Sequence, residues 1–304
     1  ATSRAKATEM GVHENTYDST LGAYLLLLPT LAAIIAFLYY PSLQTLRFSF
    51  FQTFLFGQNT RFVGLANFTD LLGSQVYLTS VGLTMAFAVI VVIGSLAVGL
   101  LVAFLLYEVS DGKAAYLIAA IWPYALPTAV AGTVLLFLAH PSVGIYTHYL
   151  EAWFGIELDW FTVGWQGFAV VTVAAIWKQV GYNVIFMLAA LNNVPESLNE
   201  ACRLDGIETW RRLVRVYLPL MSPTLVFLVV INTIYAFFGS FALIDLMTQG
   251  GPTNATNLMI YQLYRDAFQF NNLGLASAQS VILFVLVAGL TFVQLRVSDR
   301  YAHY

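Results

Sequence analysis

Residues 78–107 read LTSVGLTMAFAVIVVIGSLAVGLLVAFLLY, thirty positions without a charged side chain. As an α-helix this run is about 45 Å long, more than the ~30 Å of a bilayer's hydrocarbon core. It is also apolar on every face, which suits a helix surrounded by lipid and other helices rather than one with a solvated side. Five further windows have the same character: Leu21 to Tyr40, Ala114 to Leu138, Gly167 to Leu191, Leu220 to Leu243 and Leu273 to Leu295. The first is expected to stay as a true span, because its apolar run exceeds a signal-peptide core and no small-residue cleavage site closes it. The composition agrees. Of 304 residues 59% are hydrophobic and 10% charged, against roughly a quarter charged in a soluble domain. The class is an all-α polytopic membrane protein. A net charge of −3 without a basic block excludes nucleic acid as a partner. A single thiol, Cys202, excludes an internal disulfide and a multi-cysteine metal site. Gly94, Gly99, Pro123 and Pro127 inside the windows read as kinks or close-packing points, since neighbouring helices can satisfy freed carbonyls.

Cations near span ends remain in the cytoplasm, so their distribution sets the orientation. With the N-terminus inside, nine fall on the cytoplasmic side (Arg4, Lys6, Lys113, Arg203, Arg211, Arg212, Arg215, Arg296, Arg300) and three outside (Arg47, Arg61, Arg265), with Lys178 inside a span. Six spans with both ends in are consistent with this bias. The chain then divides into a cytoplasmic tail over 1–20, a transmembrane domain over 21–295 and a cytoplasmic tail over 296–304. An outer segment over 41–70 is expected to form a short interfacial cover.

The inner segment 192–219 is different, because it gathers four of the 13 cations and four acids in a chain otherwise almost uncharged. Asn193, Pro195 and Glu196 read as a helix start, with a capping amide, a proline tolerated in the first turn and an acid near the positive helix end. The helix is predicted from about Pro195 to Leu204. Asp205-Gly206 then makes a turn, glycine supplying a left-handed conformation. A second helix begins near Ile207, with Arg211, Arg212 and Arg215 on its polar side. Ala201 and Cys202 are small enough to let another surface approach.

Glu200-Ala201-Cys202, Asp205-Gly206, Leu218-Pro219 and Pro223 resemble the Glu-Ala-Ala loop of binding-protein-dependent ABC importer permeases, with Cys202 standing where that pattern has Ala. Phe62-Val63-Gly64-Leu65-Ala66-Asn67-Phe68 and Thr248-Gln249-Gly250-Gly251-Pro252 are similar to further segments of the carbohydrate-type members. Trp177-Lys178-Gln179, Tyr182-Asn183, Asn232, Tyr235-Ala236-Phe237-Phe238 and Ser277-Ala278-Gln279-Ser280 are most similar to the permeases for sn-glycerol-3-phosphate. The resemblance implies the type I importer permease fold in the cell inner membrane. It implies a loop in which Glu200, Ala201, Cys202, Asp205, Gly206, Leu218 and Pro219 dock on a cytoplasmic ATPase. It also implies a homologous second permease, an ATPase dimer carrying ATP and Mg, and an extracytoplasmic solute-binding protein. The chain itself is expected to bind no cofactor. The implied cargo is sn-glycerol-3-phosphate or a glycerophosphodiester, the alternative being an oligosaccharide such as trehalose or maltose.

A Lys in a span costs about 2.5–3.5 kcal/mol on insertion scales and is a functional candidate by default. Tyr182 shares the Lys178 face at i+4, and Gln179 and Asn183 form an adjacent polar stripe. With Asn232, Thr233, Phe237 and Ser240 of the fifth span, and with the family's solute site on these two helices, this face is expected to line a solute path. A second reading of Lys178 stays open, as a packing group that snorkels or pairs with Asp245. His140 and His148 read as surface groups near an outer loop. No phosphate-cradling loop occurs, since Gly112-Lys113 is followed by Ala114, so energy must come from a partner and the chain is not an enzyme. An ion-coupled secondary carrier is the rival class, and it leaves the charged loop without a purpose.

Overall fold

The computed structural model describes residues 20–54 and 59–301. The terminal stretches carrying Arg4 and Lys6, and residues 302–304, lie outside the described residues. Helix α1 runs Thr20–Ile34, passes through a π-helical turn at Ile35–Tyr39 and continues over Tyr40–Phe48. It therefore runs eight residues past the window that ends at Tyr40, into the stretch 41–70. No side chain from 24 to 48 is buried, and the last turns of α1 lie on the C-terminal helix.

A hairpin follows, β1 (Phe51–Phe54) pairing antiparallel with β2 (Asn59–Phe62) in the register Phe51 to Phe62 and Gln52 to Arg61. The short helix α2 (Ala66–Gly73) then carries buried Asn67. The amide Nδ2 of Asn67 donates to the carbonyls of Ser49 and Phe51 at 2.9 and 3.0 Å, which ties the hairpin to the end of α1. A strand pair and a short helix thus lie where the sequence predicts an interfacial cover.

Helix α3 (Gln75–Glu108) begins at Ser74, whose hydroxyl accepts from the Tyr77 amide, and ends where Val109 turns extended. Helix α4 (Lys113–Ala125) and helix α5 (Thr128–Leu138) come next, then α6 (Ile145–Phe154), α7 (Gly164–Asn192), α8 (Glu196–Leu204) and α9. Helix α9 runs Thr209–Arg212, then a π-turn at Leu213–Tyr217, then Leu218–Leu220. Helix α10 runs Ser222–Ile234, a π-turn at Tyr235–Gly239, and Phe241–Met247. Helix α11 (Met259–Tyr264, with a π-turn at Arg265–Gln269) and α12 (Leu273–Tyr301) complete the chain.

Among the described residues five helices are long and apolar enough to cross a membrane, and α4 with α5 forms a pair bent by 100°. The window 114–138 is therefore broken rather than straight. The cause is local. Pro127 lacks an N–H and pushes Leu126 out of the helical region, to φ −69° and ψ 139°.

Helices α3 and α7 form the central contact and run in the same direction. Phe87 lies on Phe168 with ring centroids 6.2 Å apart, Gly94 faces Ile176, and Gly99 faces Asn183. A methyl added at Gly99 would come within 2.7 Å of Asn183 Cβ, so the expected close-packing role holds there. Buried side chains gather in two clusters. One contains Phe87, Trp160, Phe237, Ile244 and Tyr261. The other contains Phe104, Met187, Leu191, Leu213 and Tyr217, at the end of the bundle that carries α8 and α9.

Candidate functional site

The connection between α7 and α10 forms the helix-turn-helix that the sequence predicts, with α8 starting at Glu196. Gly206 has φ +67°, and the Ile207 amide donates back to the Cys202 carbonyl at 3.0 Å. This is the glycine-terminated helix end in which the residue after Gly reaches back across the last turn. A Cβ at Gly206 would meet nothing within 4 Å, so the left-handed backbone alone demands glycine. Glu200, Ala201 and Asp205 are exposed, Leu204 is 89% exposed and Trp210 61% exposed. Together they present an outward face with two large apolar side chains among acids.

Two expectations for this loop are corrected. Cys202 is buried within the chain, so of the two small residues only Ala201 can admit another surface. Arg212 is not on the polar side with Arg211 and Arg215; it is buried. Its Nη1 donates to Asn199 Oδ1 at 2.9 Å, and its Nη2 donates to Thr209 Oγ1 at 2.9 Å and lies 3.9 Å from Glu108 Oε2. The Tyr217 hydroxyl donates to the same Asn199 oxygen at 2.9 Å. Burial raises the pKa of that hydroxyl, which keeps it a donor at neutral pH. Its ring rests on Phe104 and Tyr107 of the last turns of α3. Asn199 and Glu108 carried no sequence signal, because their roles depend on which helix ends meet. Leu218 is half-buried and Pro219 exposed, at the approach to α10.

The expected path residues do not form one open lining. Asn183 and Asn232, both fully buried, pair with each other: Asn232 Nδ2 donates to Asn183 Oδ1 at 2.7 Å and Asn183 Nδ2 returns a bond at 3.3 Å. Ser95 of α3 adds a bond to Asn232 Oδ1 at 3.0 Å, so the three amide and hydroxyl groups staple α3, α7 and α10 together. Phe237 and Ser240 have no exposed surface, and the Ser240 hydroxyl donates to the Ala236 carbonyl at 3.0 Å. Thr233 accepts from Gln294 of α12 at 2.9 Å, and Gln179 is buried. Tyr182 is half-buried, between the rings of Tyr124 and Phe186 at 5.3 and 4.7 Å.

Lys178 neither snorkels nor pairs with Asp245. Its Nζ donates to the Tyr124 carbonyl at 2.8 Å and sits 5.1 Å from the centre of the Tyr124 ring. Tyr124 lies in the last turn of α4, beside the break at Pro127, where carbonyls lose the N–H groups that a continuous helix would supply. The ammonium replaces a missing backbone donor. Sequence alone could not find this acceptor, since it lies 54 positions away.

The binding-protein-dependent transport system inner membrane component family matches residues 95–303. The chain belongs to that family. This permease is 40% identical over 289 residues to the sn-glycerol-3-phosphate transport system permease protein UgpA of Brucella abortus biovar 1 (strain 9-941), covering 95% of this chain and 98% of that protein. It is 40% identical over 281 residues to the protein of the same name from Rhizobium meliloti (strain 1021), covering 92% and 96%. In fold it is similar to a chain of the bacterial alginate ABC transporter solved in complex with an alginate pentasaccharide-bound periplasmic protein, at TM-score 0.81 and 21% identity, covering 92% of this chain and 94% of that one. The permease is therefore a transmembrane subunit of an ABC importer of the inner membrane that works with partner subunits, not an enzyme. The ion-coupled carrier reading falls with this membership.

Proposed function

We propose that this permease carries sn-glycerol-3-phosphate or a glycerophosphodiester across the membrane by ATP-driven alternating access. The observation that carries the cargo class is the 40% identity, maintained over 95% of the chain, to permeases named for sn-glycerol-3-phosphate. Its partners in this reading are a homologous second permease, two ATPase subunits that hold ATP and Mg, and an extracytoplasmic solute-binding protein. The exposed face of α8 and α9, with Glu200, Ala201, Asp205, Leu204 and Trp210, docks on the ATPase. Apolar anchors inside a charged rim support that role.

The chain crosses the membrane six times, with both ends inside. The parallel run of α3 and α7 supports this count, because two neighbouring spans can point the same way only if the bent pair between them returns the chain to the first side. The excess of cations on one side supports the orientation. In the solute path, Tyr182 is the expected residue with surface to offer in this conformation, and the Lys178 bond to Tyr124 shapes the neighbouring bend.

The test is uptake of radiolabelled sn-glycerol-3-phosphate by cells that contain the full complex and lack other uptake routes for it. Saturable uptake, competed by glycerophosphodiesters and not by maltose or trehalose, is expected. Transport of those sugars with none of the phosphate ester would overturn the cargo assignment.

A further inference from the structure

The guanidinium of Arg212 is held on one side and left unmatched on the other. Asn199 and Thr209 fix it to α8 and α9, at 2.9 Å each. The Nε atom is buried and has no hydrogen-bond partner among the described residues. Nε and Nη2 form the guanidinium edge that takes a carboxylate in two parallel bonds. The carboxylate nearest to this edge is that of Glu108, whose Oε2 stands 3.9 Å from Nη2. That is about 1 Å beyond a charge-assisted N–H to O bond. Glu108 is the last residue of α3, so a closed pair would tie that helix end to the docking loop. On its other side Glu108 lines a cleft of about 540 Å³ formed by Val109, Ser110, Asp111 and Tyr116, where the end of α3 is not packed. A buried donor without an acceptor costs free energy, and closing the gap removes that cost.

The geometry points to a latch: Arg212 and Glu108 are open in the present conformation and close into a two-bond pair in another state of the transport cycle, joining the docking loop to the end of α3. Arg212 is a positioning residue that passes motion of the loop to the helix that packs along α7. The inference rests on the loop being the ATPase contact. A two-state element of this kind transmits movement because the pair is favourable in one arrangement and strained in the other.

The experiment uses the complete complex in liposomes, with sn-glycerol-3-phosphate as the solute, and measures solute imported per ATP hydrolysed. Glu108→Gln keeps the shape and removes the charge. Arg212→Lys keeps the charge and removes the two-donor edge. Each is expected to lower the ratio about tenfold, the scale of a lost hydrogen bond to a charged group, with the half-saturating solute concentration unchanged. The double variant is expected to be no worse than the poorer single one, since both remove the same contact. An unchanged ratio in Glu108→Gln, or losses that multiply in the double variant, would overturn the latch. If Arg212→Lys does not assemble, Glu108→Gln alone decides. Gly206→Val is the control. A normal ratio in Glu108→Gln with a low ratio in Gly206→Val refutes the latch and keeps the docking loop, whereas normal ratios in both refute the loop assignment itself.

Discussion

Replacing Lys178 with Met removes the ammonium that serves the broken end of α4 and keeps most of its aliphatic stem. Three contributions decide the outcome. The bond from Nζ to the Tyr124 carbonyl, 2.8 Å long, is of the charged kind and contributes about 1.5–3 kcal/mol. The placement of Nζ over the Tyr124 ring adds about 0.5–2 kcal/mol. Against these stands the cost of holding a cation within a span, about 2.5–3.5 kcal/mol. The opposing amounts nearly cancel, so complex yield and thermal midpoint should change little. What the variant loses is the geometry of the bend, because the bend relaxes to give the Tyr124 carbonyl another donor, and returning to the working shape leaves that carbonyl bare at a cost of about 1–3 kcal/mol. If the bent pair must keep this shape in the rate-limiting step, maximal uptake falls about five- to a hundred-fold.

The assay is uptake of sn-glycerol-3-phosphate over a range of concentrations, alongside the yield of purified complex. The expected result is a lower maximal rate with a half-saturating concentration that stays within about twofold, since the ammonium is already bound to a main-chain carbonyl. A half-saturating concentration raised by an order of magnitude at constant maximal rate would refute this reasoning and place the ammonium on the solute. An unchanged rate and affinity would show that the bend needs no cation.

The Asn183 and Asn232 pair gives a second test: Asn232→Leu strands a fully buried amide and should lower stability by about 1–3 kcal/mol, while Asn183→Leu with Asn232→Leu together should recover part of it, read as thermal midpoints of the purified complex. Gly206→Val should abolish solute-stimulated ATPase activity because a β-branched residue resists φ +67°, whereas Gly206→Asn, which tolerates that region, should retain most of it. Gly99→Leu should prevent accumulation of the folded permease, since even its Cβ would stand 2.7 Å from Asn183 Cβ on the facing helix; normal amounts in the membrane would contradict the α3 and α7 packing.

Local chemistry carried the reading a long way. Long uncharged runs specify spans without reference to the rest of the chain, because a bilayer's thickness and its lack of hydrogen-bond partners are fixed in advance. Asp205-Gly206 specified a left-handed helix end for a similarly local reason, as glycine alone enters that region without strain. The Glu200, Asp205-Gly206 and Leu218-Pro219 spacing then carried the family resemblance.

What the sequence could not supply was the partner of each polar group inside the bundle. Lys178 and Asn183 lie on neighbouring faces of one helix and look alike as polar intrusions. One meets a carbonyl freed by Pro127 and the other meets Asn232 on a different span. Arg212 sits between solvated Arg211 and Arg215 in the sequence, yet the end of α3 and Asn199 draw it inward. Periodicity says which side of a helix a residue occupies; the packing of helices distant in sequence decides what that side faces. In a membrane core, where an unpaired polar group is costly, that choice of neighbour separates a staple and a helix cap from a solute path.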